Sequence, residues 1–235
     1  MKILMDMIWV EWRKAFRSRM PLWTGLVAAF MPLAITFLIF VSKNPEISKK
    51  LGIVGAKANL VAFASADWPA YMGLFKEMAS VGVLLLTVFM LAWIIGREFA
   101  DGTLKDMLAV PVQRSSILLA KMTVVAVWAL VMALIMFAVG MVMGNLLRLP
   151  GDFASILGPT FVSVMVAACL TVIVVIPFAF FASIGRGEYF PWAVPMMFSD
   201  GKSSLEPVSF VIVFLTGAIG MIVTYLWWKY ADQNR

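Results

Sequence analysis

The sequence predicts an all-α protein that crosses a membrane several times, a polytopic helical membrane protein. Of its 235 residues 63% are hydrophobic and only 14% are charged, where a soluble domain carries about a quarter charged residues. Uncharged apolar runs recur at 22–41, 78–96, 122–147, 153–185 and 208–228, each near or above the roughly 20 residues a helix needs to span hydrocarbon. Inside hydrocarbon every backbone N–H and C=O must be paired, and a helix does this within one segment.

Composition also excludes. The net charge of +6 is spread over loops and termini with no dense basic block, which suits anionic headgroups and not nucleic acid. Histidine is absent, so imidazole relays and His metal sites are ruled out. One cysteine, Cys169, lies in an apolar run. It has no internal disulfide partner and reads as inert buried packing. The first 20 residues mix charge with apolar residues at helical spacing, unlike a cleavable signal.

In chain order, residues 1–19 read as an interfacial helix. Leu4, Met5, Ile8, Trp9, Trp12, Ala15 and Phe16 share one side, and Lys2, Asp6, Arg13, Lys14 and Arg17 the other. Tryptophan at the apolar edge opposite basic residues suits a headgroup-level helix; Glu11, at the boundary, weakens the face. Whether this helix only anchors the chain or also positions a partner is left open by the wheel. The first span is 22–41, with a kink expected at Pro32. Residues 42–76 form an outer loop with five lysines, with Trp68, Pro69 and Tyr71 near the headgroups, and 78–96 is the second span.

The interval 97–114, REFADGTLKDMLAVPVQR, is the charged element between two uncharged runs. Asp101-Gly102 signals a chain reversal. Thr103 precedes Asp106 by a capping-box-like spacing. Leu104, Met107 and Leu108 make one apolar face, and Pro111 stops the helix. The spacing is met equally by an amphipathic loop helix lying on the bilayer surface.

The third span is 117–147, with Lys121 at its start placed to snorkel to the interface and Gly140-x-x-x-Gly144 allowing close helix approach. The fourth is 157–184, with entry at Pro159 and a kink or break at Pro177. Residues 185–207 read as a short apolar or re-entrant segment, and 208–228 as the last span, closed by an aromatic belt and Lys229. The proposed inner segments, 1–21 and 96–121, carry nine Lys/Arg and the outer ones, 42–76 and 145–156, carry six. That excess is in the direction of a cytoplasmic N-terminus.

Catalytic patterns are missing. Gly201-Lys202-Ser203 suggests a phosphate loop, but the glycine it needs five positions earlier is Met196. Gly185-x-Gly187 lacks the rest of a dinucleotide fingerprint. No carboxylate pair, Ser/His set or metal spacing lies in a span. The chain is therefore expected to be no enzyme, with no cofactor and no metal. Spans without a central ionisable group are unlike those of ion-coupled carriers, so energy should enter from outside the bilayer, and an apolar path suits an amphipathic cargo.

The pattern Glu98, Gly102-Thr103, Leu104, Pro111, Arg114, then Lys121, resembles the stretch after the second span of type-2 ATP-binding-cassette permeases. Gly185-x-Gly187-Glu188-Tyr189-Phe190-Pro191-Trp192 with Pro195, and the tail Leu226-Trp227-Trp228-Lys229 with Ala231-Asp232, are similar to the bacitracin-resistance and lantibiotic-immunity branch. The resemblance implies a type-2 ABC exporter transmembrane fold, with an N-terminal elbow helix and a cytoplasmic coupling helix at 97–114. It implies a multi-pass prokaryotic cell-membrane protein. Its partners would be an ABC ATPase subunit holding ATP and Mg, a second identical or homologous permease, and membrane lipids. Arg97, Glu98, Phe99, Gly102, Thr103, Leu104, Met107, Leu108, Pro111 and Arg114 would couple to the ATPase. Tyr189, Phe190 and Trp192 would form an outer gate or an interfacial aromatic cluster. The cargo would be an antimicrobial peptide, an antibiotic or a lipid-linked compound. The family has six spans, while five are clear here; a long 153–199 region crossing twice, or a truncated fifth span, would account for the difference. A membrane scaffold or sensor that recruits a soluble protein is the alternative from another class.

Overall fold

The computed structural model describes residues 2–44, 46–47, 67–100, 113–184, 215 and 217–226. Six helices carry the description: α1 (Lys2–Arg17), α2 (Met20–Lys43), α3 (Trp68–Ala100), α4 (Arg114–Leu146), α5 (Phe153–Ile184) and α6 (Gly217–Leu226). Among the described residues, α2, α3, α4 and α5 are long and apolar enough to cross a membrane, and α6 is a shorter apolar helix. The helices α3 and α4 have 33 residues each. At 1.5 Å per residue that is about 50 Å, against about 30 Å of hydrocarbon, so their ends reach past the apolar layer.

Local chemistry sets where these helices begin. The Asp67 Oδ1 accepts the Ala70 N–H at 2.9 Å, a side-chain N-cap, and Pro69 fits a first helical turn. The second crossing helix therefore starts at Trp68 and not at Met78, and residues 68–76, expected in the outer loop, are helical. Asp152 does the same for α5: its Oδ1 accepts the Ala154 N–H at 3.0 Å. That helix starts at Phe153, before the expected 157, and runs through both Pro159 and Pro177. Of the kink or break expected at Pro177, the break is overturned, and with it a double pass made inside this helix. The helix α4 likewise starts at Arg114, before the expected 117. Between α4 and α5 the chain turns through Arg148 (φ 47°) and Gly151 (φ 115°); the latter angle is readily adopted only by glycine.

Contacts divide the chain into two units, one of residues 1–24, 84–130 and 169–235, the other of 25–83 and 131–168. In the second unit, α3 lays three aromatic side chains on the small residues of α4. A Cβ at Gly140 would stand 2.5 Å from the Phe75 ring, and one at Gly144 would stand 2.6 Å from the Trp68 ring. The Tyr71 hydroxyl donates to the Gly140 carbonyl at 2.8 Å. Trp68 also meets Phe153, ring centroids 4.8 Å apart. The spacing of Gly140 and Gly144 thus serves packing within the chain.

In the first unit, α6 packs on α5 through Gly217, Gly220 and Thr224, all buried on one face. Pro177 has no N–H, so it leaves the carbonyl of Ile173 without its helical donor. A Cβ at Gly217 would stand 3.0 Å from that oxygen, and one at Gly220 would stand 2.6 Å from Pro177 Cα. Only glycine lets α6 come this close. The helix runs on through its proline with a neighbour packed against the freed turn, an arrangement membrane helices allow. Cys169 on α5 is exposed, against the expectation of buried packing. Large apolar side chains such as Phe30 and Phe37 of α2 are exposed too, a surface suited to lipid.

Candidate functional site

Among the described residues, the deepest charges lie where α1, the end of α3 and the start of α4 meet in the first unit. On α4, Lys121 has Ile117, Leu118, Val124 and Val125 at i−4, i−3, i+3 and i+4, all buried. Helical periodicity therefore turns the lysine into the protein along with them. Glu98 follows the buried Ile94 and Ile95 on α3 in the same way. Glu11 lies three residues after Ile8 and four before Ala15 on α1, and Ala15 is buried. Each ionisable group thus sits on an apolar stripe and is carried inward by its neighbours.

The result is a closed ring of alternating charge. Lys121 Nζ donates to Glu98 Oε1 at 2.6 Å and to Glu11 Oε2 at 3.0 Å. Lys14 Nζ donates to Glu11 Oε1 at 3.0 Å and to Glu98 Oε1 at 3.3 Å. Each lysine touches both carboxylates and each carboxylate both lysines, so the ring is neutral. Lys121 is 0% exposed and Glu11 and Glu98 are 6% exposed, while the Lys14 side chain keeps 43% of its surface. Burial by itself would raise the Glu11 carboxyl, but Lys121 and Lys14 outweigh it and hold it below the ordinary glutamate value. Burial by itself would lower the Lys14 amine; Glu11 and then Glu98 outweigh it and hold it above the ordinary lysine value. One atom is left over. Glu98 meets both lysines through Oε1, and its buried Oε2 has no hydrogen-bond partner among the described residues.

The ring changes the reading of three residues. Lys121 does not snorkel; it is enclosed and held by two carboxylates. Glu11 does not blur the apolar side of α1; among the described side chains of that helix it is buried with Ala15 alone. Lys14, assigned to the solvent side, folds back onto Glu11 and Glu98. The apolar arc of α1 is thereby divided. One flank, with Glu11 and Ala15, packs on the protein, and the other, with Met5, Trp9 and Phe16, is more than half exposed. Arg13 lies over the Trp9 ring at 5.1 Å on that outer flank, as a headgroup-level helix requires. At the end of that flank Phe16 meets the buried Trp128 edge-on, centroids 5.8 Å apart, and the Trp128 indole N–H donates to the Thr24 hydroxyl at 3.1 Å.

Among the residues expected to couple, Glu98 is in the ring. Arg97 is exposed, its guanidinium 5.3 Å from the Trp93 ring. Phe99 lies in the last turn of α3 and Arg114 opens α4, and the side chains of both are outside what is described. Gly102, Thr103, Leu104, Met107, Leu108 and Pro111 lie outside the described residues, as do Tyr189, Phe190 and Trp192. Residues 101–112 therefore connect two helix ends, and 23 positions separate the ion-paired Glu98 and Lys121. Among the described residues no group of three His, Cys, Asp or Glu side chains is placed to hold a metal ion.

Residues 7–199 match the family described as ABC-2 family transporter protein. The chain is also similar to the bacitracin transport permease protein BCRB of Bacillus licheniformis, 24% identical over 179 residues that cover 65% of this chain and 86% of that one. No solved structure matches.

Proposed function

The chain belongs to the ABC-2 transporter family, as a multi-pass membrane permease component of an ABC transporter, and from that premise we propose an exporter subunit driven through residues 97–114. ATP is hydrolysed on a separate ABC ATPase subunit, which engages this element from the cytoplasm. The N-terminus and α1 lie on that same side. Two permease chains, identical or homologous, pair in the working assembly.

The single observation that carries this reading is the Glu98–Lys121 contact at 2.6 Å. It fastens together the two helix ends on either side of residues 101–112. A load placed on a connection whose feet are joined moves both feet at once. The helices α3 and α4 then tilt together, where an unclamped loop would absorb the push. Leu104, Met107 and Leu108 supply the apolar face for docking, and Gly102, Thr103 and Pro111 fix its ends. By likeness to the bacitracin permease, the cargo is an amphipathic antibiotic, an antimicrobial peptide or a lipid-linked compound. Such a cargo is consistent with the apolar surfaces of α2 and α5.

The test is co-expression with a candidate ABC ATPase. The ATPase should co-purify with this chain, and its turnover should rise in the complex. The paired change Leu104→Asp and Met107→Asp should abolish association while the chain still inserts in the membrane. Association that survives this change would place the docking face elsewhere, and association without any rise in turnover would favour a scaffold over a transporter.

A further inference from the structure

We propose that Glu11 and Lys121 are positioning residues for energy coupling, which make α1 move as one body with the two helix ends that flank residues 101–112. The proposal rests on the permease reading, in which that element receives the load. It adds a third moving part and names the two side chains that attach it.

Connectivity is the first argument. A lone Glu98–Lys121 pair would clamp α3 to α4 and leave α1 an independent anchor. Glu11 and Lys14 close the ring instead, with contacts of 3.0, 3.0 and 3.3 Å in addition to the 2.6 Å pair. Moving α1 away from Glu98 and Lys121 breaks two ion pairs together, as does moving either helix end alone. Lys121 is fully enclosed, so no water is at hand to replace a lost carboxylate, and the isolated charge is strongly disfavoured.

Residue choice is the second. An interfacial helix needs only its apolar arc, and a leucine at position 11 would extend that arc and seat α1 on the protein. Buried ion pairs hold no better than well-packed apolar residues of similar volume. An acid here is therefore a poor device for adhesion and a good one for fixed mutual position, because alternation of sign accepts one arrangement of the three segments. The spare Glu98 Oε2 lets the ring exchange contacts while the three segments keep that arrangement. Rotation of that carboxylate would share the two lysines between both its oxygens, as Glu11 already does.

The experiment uses the full chain in complex with its ATPase, reconstituted in vesicles. It reads ATPase association and, separately, the ratio of ATPase turnover in the complex to turnover alone. Glu11→Gln should leave association at the wild-type level and lower the ratio at least fivefold. The exchange Glu98→Lys with Lys121→Glu should fail to recover the ratio, because it sets a second cation beside Lys14 and a second anion beside Glu11. Exchanging all four signs, with Glu11→Lys and Lys14→Glu added, restores alternation and should recover it. Should Glu11→Gln fail to accumulate, Glu11→Asp, which keeps the charge and withdraws it by one methylene, must lower the same ratio. A ratio untouched by Glu11→Gln overturns the positioning role, and so does a double exchange that recovers as well as the fourfold one. A wild-type chain that neither binds nor stimulates an ATPase sinks the permease reading and this role with it.

Discussion

Glu11, Lys14, Glu98 and Lys121 meet through full charges at 2.6–3.3 Å, whereas Trp68, Tyr71 and Phe75 meet Gly140 and Gly144 through ring-to-backbone contact and one neutral hydrogen bond. The two regions join the same pair of helices, α3 and α4, by unlike means. The aromatic seam is short-ranged and additive, and it loses stability in proportion to the atoms removed or the overlap introduced. The ring is conditional. Its members stabilise each other only while all are charged and in place, and removing one leaves another buried without compensation. A seam of the first kind suits a part of the chain that keeps its packing, and a ring of the second kind suits a part that must adopt defined positions.

The sharpest way to break the contrast is Lys121→Met. Methionine fills nearly the same volume, so packing survives and only the charge is lost. Two buried carboxylates then face each other with Lys14 alone to hold them, a loss of about 3–5 kcal/mol. It should appear as a large drop in the thermal stability of the detergent-solubilised chain, with partial recovery in Glu11→Gln/Lys121→Met. The seam should answer less steeply. Gly144→Leu drives a side chain into the Trp68 and Tyr71 rings, where even a Cβ would stand 2.6 Å from Trp68 and 2.9 Å from Tyr71. Overpacking of this sort costs about 1–3 kcal/mol, and Trp68→Ala in the same chain should relieve part of it.

These two positions also mark what was legible in the sequence. The crossing helices could be read because uncharged runs of about 20 residues have one outcome in lipid. The early start of α3 has a local signal, since Asp67 followed by Trp68-Pro69 is an N-cap and first turn, but five lysines between 42 and 76 give the stretch the composition of a loop. At Pro177 local sequence predicts a kink or break, because a proline removes one helical hydrogen bond. The helix is unbroken there, and Gly217 and Gly220 lie against that turn, a contact about 40 residues away in sequence that no local rule supplies. The ring was half legible. Apolar neighbours at i±3 and i±4 mark Lys121 as inward-facing, whereas its place at the start of a span favours snorkelling. Which carboxylates would meet it required the three-dimensional arrangement. The glycine spacing at 140 and 144 was read as permitting close approach, and which helix approaches was likewise not written locally.

Acidity separates the regions without mutation. The Glu11 carboxyl is held below its ordinary value, so its share of stability is fully present above that ordinary value and is lost as pH falls through the lowered one. The Lys14 amine is held above its ordinary value, so its share is present below the ordinary lysine value and is lost as pH rises through the raised one. Both contributions are intact near neutral pH. Taking the solubilised chain from about pH 7 to about pH 3 should lower its melting temperature, and Glu11→Gln should reduce that acid response. Tyr71→Phe should leave the response unchanged. It removes only the neutral bonds of the hydroxyl, to the Gly140 carbonyl and to Thr36, and should lower stability at neutral pH by about 1 kcal/mol.

The smallest effect lies inside the ring and tests whether burial or mere membership sets a charge's weight. Lys14 makes the same number of ion pairs as Lys121, to the same two carboxylates. It differs in being 43% exposed where Lys121 is enclosed. Water and salt screen an exposed amine and solvate whatever its removal uncovers, so Lys14→Ala should cost about 1 kcal/mol or less. That cost should shrink further as ionic strength rises, because charges reached by solvent are screened. The Lys121→Met loss should barely change with salt. If the two lysines proved equally costly to remove, at low and at high salt alike, the ring would owe its strength to the count of contacts and not to the exclusion of water from one side. The contrast drawn with the aromatic seam would then lose its physical basis.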